Sequence, residues 1–345
     1  MTLYNEIHEQ PDVLRNSFAQ NIENVKQIAA AIPRERVQYA FIAARGTSDN
    51  AARYAKYLWG AYNQLPVTLA APSLFGLYQQ APRLDGALVI GISQSGQSPD
   101  IVNVLVEGKR QGRPTLAITN DSESPLAKTA DFVINIHAGV ETAVAATKTY
   151  TTSLLAIAVL STAWQMDDER LQSLRQLPEW ASAVLAQDAQ IASLAPRYRY
   201  MSQCVVLGRG YNYATAFEWS LKLKELTYVV AEPYSSADFR HGPIAIVEHG
   251  FPVMAVAPHG QVFADMVQLL QRLMQDHRAE LLLISNDETL LESATSAIQL
   301  PHDLPEWLTP LVSILPAQLF SYYLTTVKGF NTEAPRGLNK VTKTV

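Results

Sequence analysis

The chain of 345 residues repeats itself, and this internal repeat restricts the possible folds more than any other feature of the sequence. The segment FIAARGTSDNAARYAKYLW resembles the later segment VVLGRGYNYATAFEWSLKL, and Arg45–Gly46 aligns with Arg209–Gly210. The same offset between the two copies aligns GALVIGISQSG, from Gly86, with GFPVMAVAPHG, from Gly250. The two halves are therefore predicted to share one fold.

Each half alternates short apolar runs with amphipathic helical stretches. This pattern predicts an α/β protein with two tandem domains, each a doubly wound, mainly parallel sheet with helices on both faces. We expect an N-terminal helical segment over residues 1–33, a first domain over 34–165, a helical connector over 166–198, a second domain over 199–330 and a tail over 331–345.

Composition narrows the class of protein. The net charge of −5 comes without a basic block, so we expect no nucleic-acid partner. The single cysteine, Cys204, lies in an apolar run and is predicted to be a buried structural thiol. His241, His249 and His259 lack the spacing of metal ligands, so no metal is expected. The apolar run LLAIAVL at 154–160 is too short to cross a membrane, and the N-terminus lacks a signal pattern, so we expect a soluble, cytoplasmic protein.

Hydroxyl side chains crowd the ends of strands in the first half. The serine loop, ISQSGQS at residues 92–98, follows one strand, and Thr47 and Ser48 follow another. A third stretch, ETAVAATK, places Thr147 before a helix. Two interpretations stay open for the serine loop: Ser98 caps the next helix, or the hydroxyls and helix N-terminus bind phosphate. The corresponding loops of the second half, GRGYN and APHGQV, have largely lost their hydroxyls, which favours phosphate in the first half.

The second half carries side chains suited to acid–base chemistry. Glu218, Lys222 and Glu225 share one helical face, and His241 lies in the loop sequence RHGP. A solvated ladder of surface ion pairs and a surface histidine are the simpler interpretations. A carboxylate and a histidine beside a bound sugar could instead transfer protons.

Six motifs, in order, resemble one family over nearly the whole chain. They are RGTS at 45–48, SQSGQS at 93–98, ETAVAATK at 141–148, LKLKEL at 221–226, AEPYSSADFRHGP at 231–243 and APRGLNK at 334–340. The chain resembles the isomerase half of glucosamine-6-phosphate synthase, a tandem pair of sugar isomerase (SIS) domains. The family loop usually ends Glu-Thr where this chain has Gln97-Ser98, and its tail commonly has alanine where this chain has Asn339.

The resemblance implies a role for each matched residue. Residues that would hold the sugar phosphate are Thr47, Ser48, Ser93, Gln94, Ser95 and Ser98, and the Val144 backbone and Thr147 would line the sugar. It also implies that Glu225 moves a proton between C1 and C2 with support from Lys222. His241 would open the sugar ring from the second subunit of a homodimer with shared active sites. Lys340 would lie at the carbonyl carbon, within a tail that folds over the active site.

The synthase has a glutaminase domain with a nucleophilic cysteine, and we expect this chain to lack that activity. Free-standing tandem SIS proteins resemble deaminases, so the expected reaction converts glucosamine 6-phosphate and water to fructose 6-phosphate and ammonia. No cofactor is expected. The alternatives are a galactosamine-phosphate deaminase, a fructosamine-phosphate deglycase, or a non-catalytic sugar-phosphate sensor.

Overall fold

The computed structural model describes residues 2–340. The strands within this range are β1 (Tyr39–Ala43), β2 (Val67–Leu69), β3 (Ala87–Ile92), β4 (Thr115–Thr119), β5 (Phe132–Asn135), β6 (Gln203–Leu207), β7 (Val230–Tyr234), β8 (Pro252–Val256), β9 (Glu280–Ser285) and β10 (Ser296–Gln299). The α-helices are α1 (Leu3–His8), α2 (Gln10–Ala31), α3 (Gly46–Asn63), α4 (Pro99–Arg110), α5 (Pro125–Thr129), α6 (Lys148–Gln165), α7 (Asp168–Arg175), α8 (Leu177–Leu185), α9 (Asp188–Leu194), α10 (Tyr213–Lys222), α11 (Ser236–Arg240), α12 (Phe263–Gln275), α13 (Glu288–Ser293) and α14 (Thr309–Val327).

The strands form two parallel five-stranded sheets with the same topology. The first sheet has the order β2-β1-β3-β4-β5, and the second has the equivalent order β7-β6-β8-β9-β10. The sequence-based prediction of two doubly wound parallel sheets with helices on both faces is confirmed. Strand β3 has the burial typical of a parallel sheet: all six of its residues are buried, as expected when helices cover both faces.

The repeat is also visible in the element bounds. Strand β6 follows β1 at the same distance along the chain that separates Arg209 from Arg45. The helical stretch 210–227 follows α3 at that distance as well. Gln64 ends α3 in the left-handed conformation with φ of 51°, and Tyr228 ends the second stretch in the same way with φ of 58°. The offset read from the sequence therefore holds at the level of single residues.

Each repeat packs the helix that follows its first strand against a long apolar helix. In the first repeat the Trp59 indole donates to the Ile157 carbonyl oxygen of α6 at 3.2 Å. In the second, the Asn212 amide donates to Thr309 Oγ1 at the start of α14 at 2.7 Å. Helices α6 and α14 are buried along most of their length, which explains their continuous apolar sequence. No helix within residues 2–340 combines the length and apolar character needed to cross a membrane.

The chain divides into two compact units that do not follow the order of the sequence. The first-sheet unit consists of Asp12–Glu141, Lys148–Arg175 and the described residues from Asn339 onward. The second-sheet unit consists of the described residues up to Pro11, together with Thr142–Thr147 and Gln176–Leu338. The predicted domain boundaries and tail placement stay predictions, and residues 341–345 of the tail lie outside the described residues.

Candidate active site

Two hydroxyl-rich loops leave the first sheet at neighbouring strands. Strands β1 and β3 pair in parallel, with Ala43 opposite Gly91, so both loops emerge at the carboxyl edge. The strand order reverses between β1 and β3, which is where ligands bind in doubly wound sheets. Thr47 and Ser48 lie in the first turn of α3, which follows β1, and the serine loop at 92–98 lies between β3 and α4. The side chains predicted to hold phosphate therefore share one edge.

The hydroxyl of Ser98 does not cap α4. Ser98 occupies the N-cap position, but its side chain makes no capping hydrogen bond, so the capping interpretation is wrong. Ser93 Oγ accepts a hydrogen bond from the Gly96 N–H at 3.1 Å, and Ser95 Oγ accepts one from the Gln97 N–H at 3.3 Å. Because these hydroxyls act as acceptors, each retains an O–H that can donate to a phosphate oxygen.

The backbone of the serine loop is fixed by close packing. Gly96 adopts φ of +60°, and a Cβ there would lie 2.1 Å from Ser124 Oγ, so only glycine fits. The Gln94 carbonyl oxygen accepts from the Asn120 N–H at 3.0 Å and from Thr119 Oγ1 at 3.3 Å. The loop is therefore preorganised before any ligand binds.

An ion pair ties each Arg-Gly turn to the helix after the third strand of its repeat. Arg45 Nε donates to Asp100 Oδ2 at 2.8 Å, and the Asp100 side chain is almost fully buried. In the second repeat Arg209 Nη1 donates to Asp265 Oδ2, also at 2.8 Å. The internal repeat aligned the two arginines, but their aspartate partners were not predicted from the sequence. The signal was available, because an aspartate stands in the first turn of both helices.

The second repeat keeps the loop but places one of its own carboxylates there. Gly260 and Gln261 stand at the repeat offset from Gly96 and Gln97. Glu306 Oε2 accepts a hydrogen bond from the Gln261 N–H at 2.9 Å, and a Cβ on Gly260 would lie 2.0 Å from the Glu306 side chain. An internal anion thus satisfies this backbone donor. The contact favours the predicted division of labour, in which only the first repeat holds phosphate.

Helix α10 continues into a π-helical turn that carries Glu225. The α-helix ends at Lys222, the π-helical turn covers Leu223–Thr227, and Tyr228 then ends the stretch. The corresponding residues of the first repeat, 59–63, are α-helical. Single π-helical turns occur often at functional sites. Nothing in the apolar periodicity of the sequence distinguishes this turn from ordinary helix.

Glu218, Lys222 and Glu225 form a buried ion cluster. Lys222 Nζ lies 2.7 Å from Glu225 Oε2 and 3.3 Å from Glu218 Oε1. Lys222 and Glu218 are essentially unexposed, whereas 23% of the Glu225 side chain is exposed. The interpretation as a solvated surface ladder is therefore wrong. Burial alone lowers the pKa of Lys222, but the two carboxylates outweigh it and raise the pKa above its ordinary value.

His241 lies just after α11, with its side chain exposed. Its backbone N–H donates to the Asp238 carbonyl oxygen at 3.1 Å. The preceding residue, Arg240, donates from Nη1 to Asp265 Oδ1 at 2.6 Å and from Nη2 to the Asp265 carbonyl oxygen at 2.7 Å. The loop is thus anchored through Arg240, and the imidazole stays open to a ligand.

Glu141 is a candidate site residue that lies in the motif ETAVAATK but was not predicted from the sequence. Lys340 Nζ donates to Glu141 Oε2 at 2.6 Å, and the Glu141 side chain is fully buried. Glu141 Oε1 also accepts from the Thr149 N–H at 3.1 Å, and Oε2 accepts from Thr149 Oγ1 at 2.7 Å. These contacts hold the Lys340 ammonium at a defined point of the first-sheet unit.

The predicted site residues divide between the two units. The first-sheet unit contains Thr47, Ser48, Ser93, Gln94, Ser95, Ser98 and Lys340. The second-sheet unit contains the half-buried Val144, the buried Thr147, and Lys222, Glu225 and His241. The roles of these residues stay predictions.

Comparison with known proteins gives consistent matches. The family model described as SIS domain matches residues 36–163 and 200–328, which covers both repeats. Glutamine–fructose-6-phosphate aminotransferase (isomerizing) from Pyrococcus horikoshii is 33% identical over 97% of this chain. The match covers 56% of that protein, so the chain spans about half the length of this curated relative.

Two solved structures resemble the chain over nearly its full length. The C-terminal domain of glucosamine-fructose-6-phosphate aminotransferase from Francisella tularensis is 28% identical, with a TM-score of 0.87 over 96% of this chain and 98% of that one. Glucosamine-6-phosphate deaminase from Thermotoga maritima has a TM-score of 0.79 over 100% of both chains. At 21% identity, this structural similarity shows a common fold alone.

Proposed function

The chain belongs to the SIS family, and on that premise we propose that it is an amino-sugar phosphate deaminase. The reaction converts glucosamine 6-phosphate and water to fructose 6-phosphate and ammonia. The ring opens, a proton moves from C2 to C1, and the resulting C2 imine is hydrolysed. Water supplies the C2 oxygen, and the nitrogen leaves as ammonia.

The buried ion cluster is the observation that carries this proposal. A proton shuttle between adjacent carbons needs one carboxylate that is held firmly and still reaches the substrate. Glu225 meets both conditions, because fully buried Lys222 holds one of its oxygens at 2.7 Å while the side chain keeps an exposed edge. A cationic Lys222 also stabilises the negative charge on Glu225 before the first transfer and after the second, whereas between them Glu225 carries the proton and is neutral.

The carboxyl edge of the first sheet supplies the phosphate site in this proposal. Thr47, Ser48 and the hydroxyls of the serine loop lie at the N-termini of α3 and α4, where the helix dipole favours an anion. The Ser98 side chain supports this assignment, because its hydroxyl makes no capping hydrogen bond to α4.

The remaining roles follow the family pattern. His241 would open the pyranose ring in the active site of a partner subunit, which makes the functional unit a two-fold homodimer. Its exposed side chain on an anchored loop supports an action across an interface. Lys340 would face the carbonyl carbon, positioned by Glu141 at 2.6 Å.

Substrate assays test the proposal. Ammonia release and fructose 6-phosphate formation are measured with glucosamine 6-phosphate, galactosamine 6-phosphate and a fructosamine 6-phosphate adduct. We expect both products in equal amounts from glucosamine 6-phosphate, with the highest kcat/KM of the three. A higher kcat/KM with either other compound would overturn the substrate assignment. Calorimetric binding of glucosamine 6-phosphate without turnover would overturn catalysis and favour a sensor.

A further inference from the structure

The first helix of the chain carries a buried carboxylate that the proposed reaction does not use. Helix α1 belongs to the second-sheet unit and is capped by Thr2, whose Oγ1 accepts from the Asn5 N–H at 3.3 Å. Glu6, in the first turn, is completely buried. A buried carboxylate is costly unless other groups satisfy its charge and its hydrogen bonds.

The partners of Glu6 are polar groups of one short segment. Glu6 Oε1 accepts from the Thr142 N–H at 2.6 Å and from Thr142 Oγ1 at 3.1 Å. The Ala143 N–H donates to both carboxylate oxygens, at 3.4 and 3.3 Å. No ion pair to Glu6 occurs among the residues that the structure describes, so these donors compensate its charge.

This segment leads directly into the predicted sugar-lining residues. Val144 follows Ala143, Thr147 lies three residues further on, and Thr142–Thr147 groups with α1 in the second-sheet unit. The contacts span 136 residues of sequence, so Glu6 holds the segment from outside its own loop. A backbone fixed at Thr142 and Ala143 gives the Val144 N–H one direction instead of many.

We infer that Glu6 is a positioning residue for substrate binding. Its carboxylate orients the backbone of residues 142–144, so that the Val144 backbone and Thr147 meet the sugar in a fixed geometry. This inference rests on the proposed function, because it assigns the segment to the sugar of that same site. The N-terminal helix thereby belongs to the binding machinery.

The negative charge is essential to this role. Thr142 and Ala143 present backbone donors, and a carboxylate offers acceptors on both of its oxygens. Glu6→Gln has nearly the same shape but replaces one acceptor by an NH₂ group that faces a donor. Glu6→Asp keeps the charge and withdraws it by one methylene group. The matched control is Glu23→Gln in α2, whose carboxylate is 75% exposed.

Steady-state kinetics and amide hydrogen exchange test the inference together. For Glu6→Gln we expect KM for glucosamine 6-phosphate to rise about 10- to 100-fold, the equivalent of one lost charge-assisted hydrogen bond, with kcat changed less than about threefold. The amides of Thr142 and Ala143 should exchange faster, and Glu6→Asp should show a smaller KM increase. Glu23→Gln should match the wild type in both measurements.

The outcomes separate the inference from the proposed function. An unchanged KM or unchanged exchange in the folded Glu6→Gln variant would overturn the positioning role. If Glu6→Gln does not fold, Glu6→Asp decides through the same two measurements. If the wild type releases no ammonia, the proposed function fails, and exchange together with calorimetric binding of fructose 6-phosphate still tests Glu6.

Discussion

Replacing the two carboxylates of the buried ion cluster by glutamine, one at a time, tests whether Glu225 acts as the base. Glu225→Gln and Glu218→Gln remove one negative charge each from the same ammonium, Lys222, with little change in shape. The two positions differ in exposure, because Glu218 is fully buried and 23% of Glu225 is exposed. A catalytic effect and a structural effect should therefore appear in different variants.

The expected magnitudes follow from the contacts. Glu225→Gln removes the proton acceptor, and we expect kcat to fall by about 10²–10⁴. Its cost in the free energy of unfolding should be about 1 kcal/mol, because the new amide oxygen still accepts from Lys222 and Glu218 remains at 3.3 Å. Glu218 is fully buried, so water cannot replace the charge that Glu218→Gln removes. We expect this variant to lose about 1.5–3 kcal/mol in the free energy of unfolding, with kcat within about tenfold of wild type.

The stability effect should not depend on pH near neutrality. The two carboxylates raise the pKa of Lys222 in the folded chain. A raised lysine pKa stabilises the fold fully below the ordinary pKa of lysine, and this contribution is lost as pH rises through the folded value. The loss caused by Glu218→Gln should therefore be the same at pH 7 and pH 8.

Three measurements are needed for each variant: ammonia release, urea unfolding and calorimetric binding of fructose 6-phosphate. Solvent-proton exchange at the sugar C1 adds a direct readout of the proton transfer. We expect Glu225→Gln to bind fructose 6-phosphate nearly as well as wild type and to lose the exchange. Near-wild-type turnover in Glu225→Gln would refute its role as the base. Equal losses of turnover in both variants would show that the effect passes through Lys222.

Three further predictions concern the phosphate, the assembly and the thiol. Replacing Ser95 and Ser98 together by alanine should raise KM strongly without unfolding the protein, because each lost charge-assisted hydrogen bond contributes about 1.5–3 kcal/mol to substrate binding. An unchanged KM would exclude the serine loop as the phosphate site. Mixing inactive Glu225→Gln and His241→Ala chains should restore about one quarter of wild-type activity per site if the histidine serves its partner, whereas verified subunit exchange without recovery would exclude a shared site. Burial raises the pKa of the Cys204 thiol to about 12, so a thiol reagent at pH 8 should react only after unfolding; rapid labelling of the native protein would contradict this.

The sequence alone determined the architecture. The repeat that relates β6 to β1 can be read without a structure, because the apolar strands and the Arg-Gly turns recur at the same spacing. Parallel strands also bring their carboxyl ends to one edge, so the serine loop and Thr47 could be placed together from the strand pattern. These conclusions depend on local periodicity and on the geometry common to all parallel sheets.

Local sequence predicted the contacts and the burial of individual side chains less reliably. Ser98 stands where serine usually caps a helix, yet its hydroxyl does not cap α4. Glu218 and Lys222 have the spacing of an exposed ion-pair ladder, yet both are buried. Spacing along a helix fixes which side chains meet, but packing from elsewhere in the chain decides whether water reaches them.

Only the tertiary structure decided the contacts that complete the candidate site. Glu6 meets Thr142 across 136 residues, and Lys340 meets Glu141 across 199. No periodicity relates such positions, because each contact joins a buried carboxylate to whichever donors the folded chain brings within about 3 Å of it. A buried charge must find its partner in space, and the distance along the chain plays no part in that requirement.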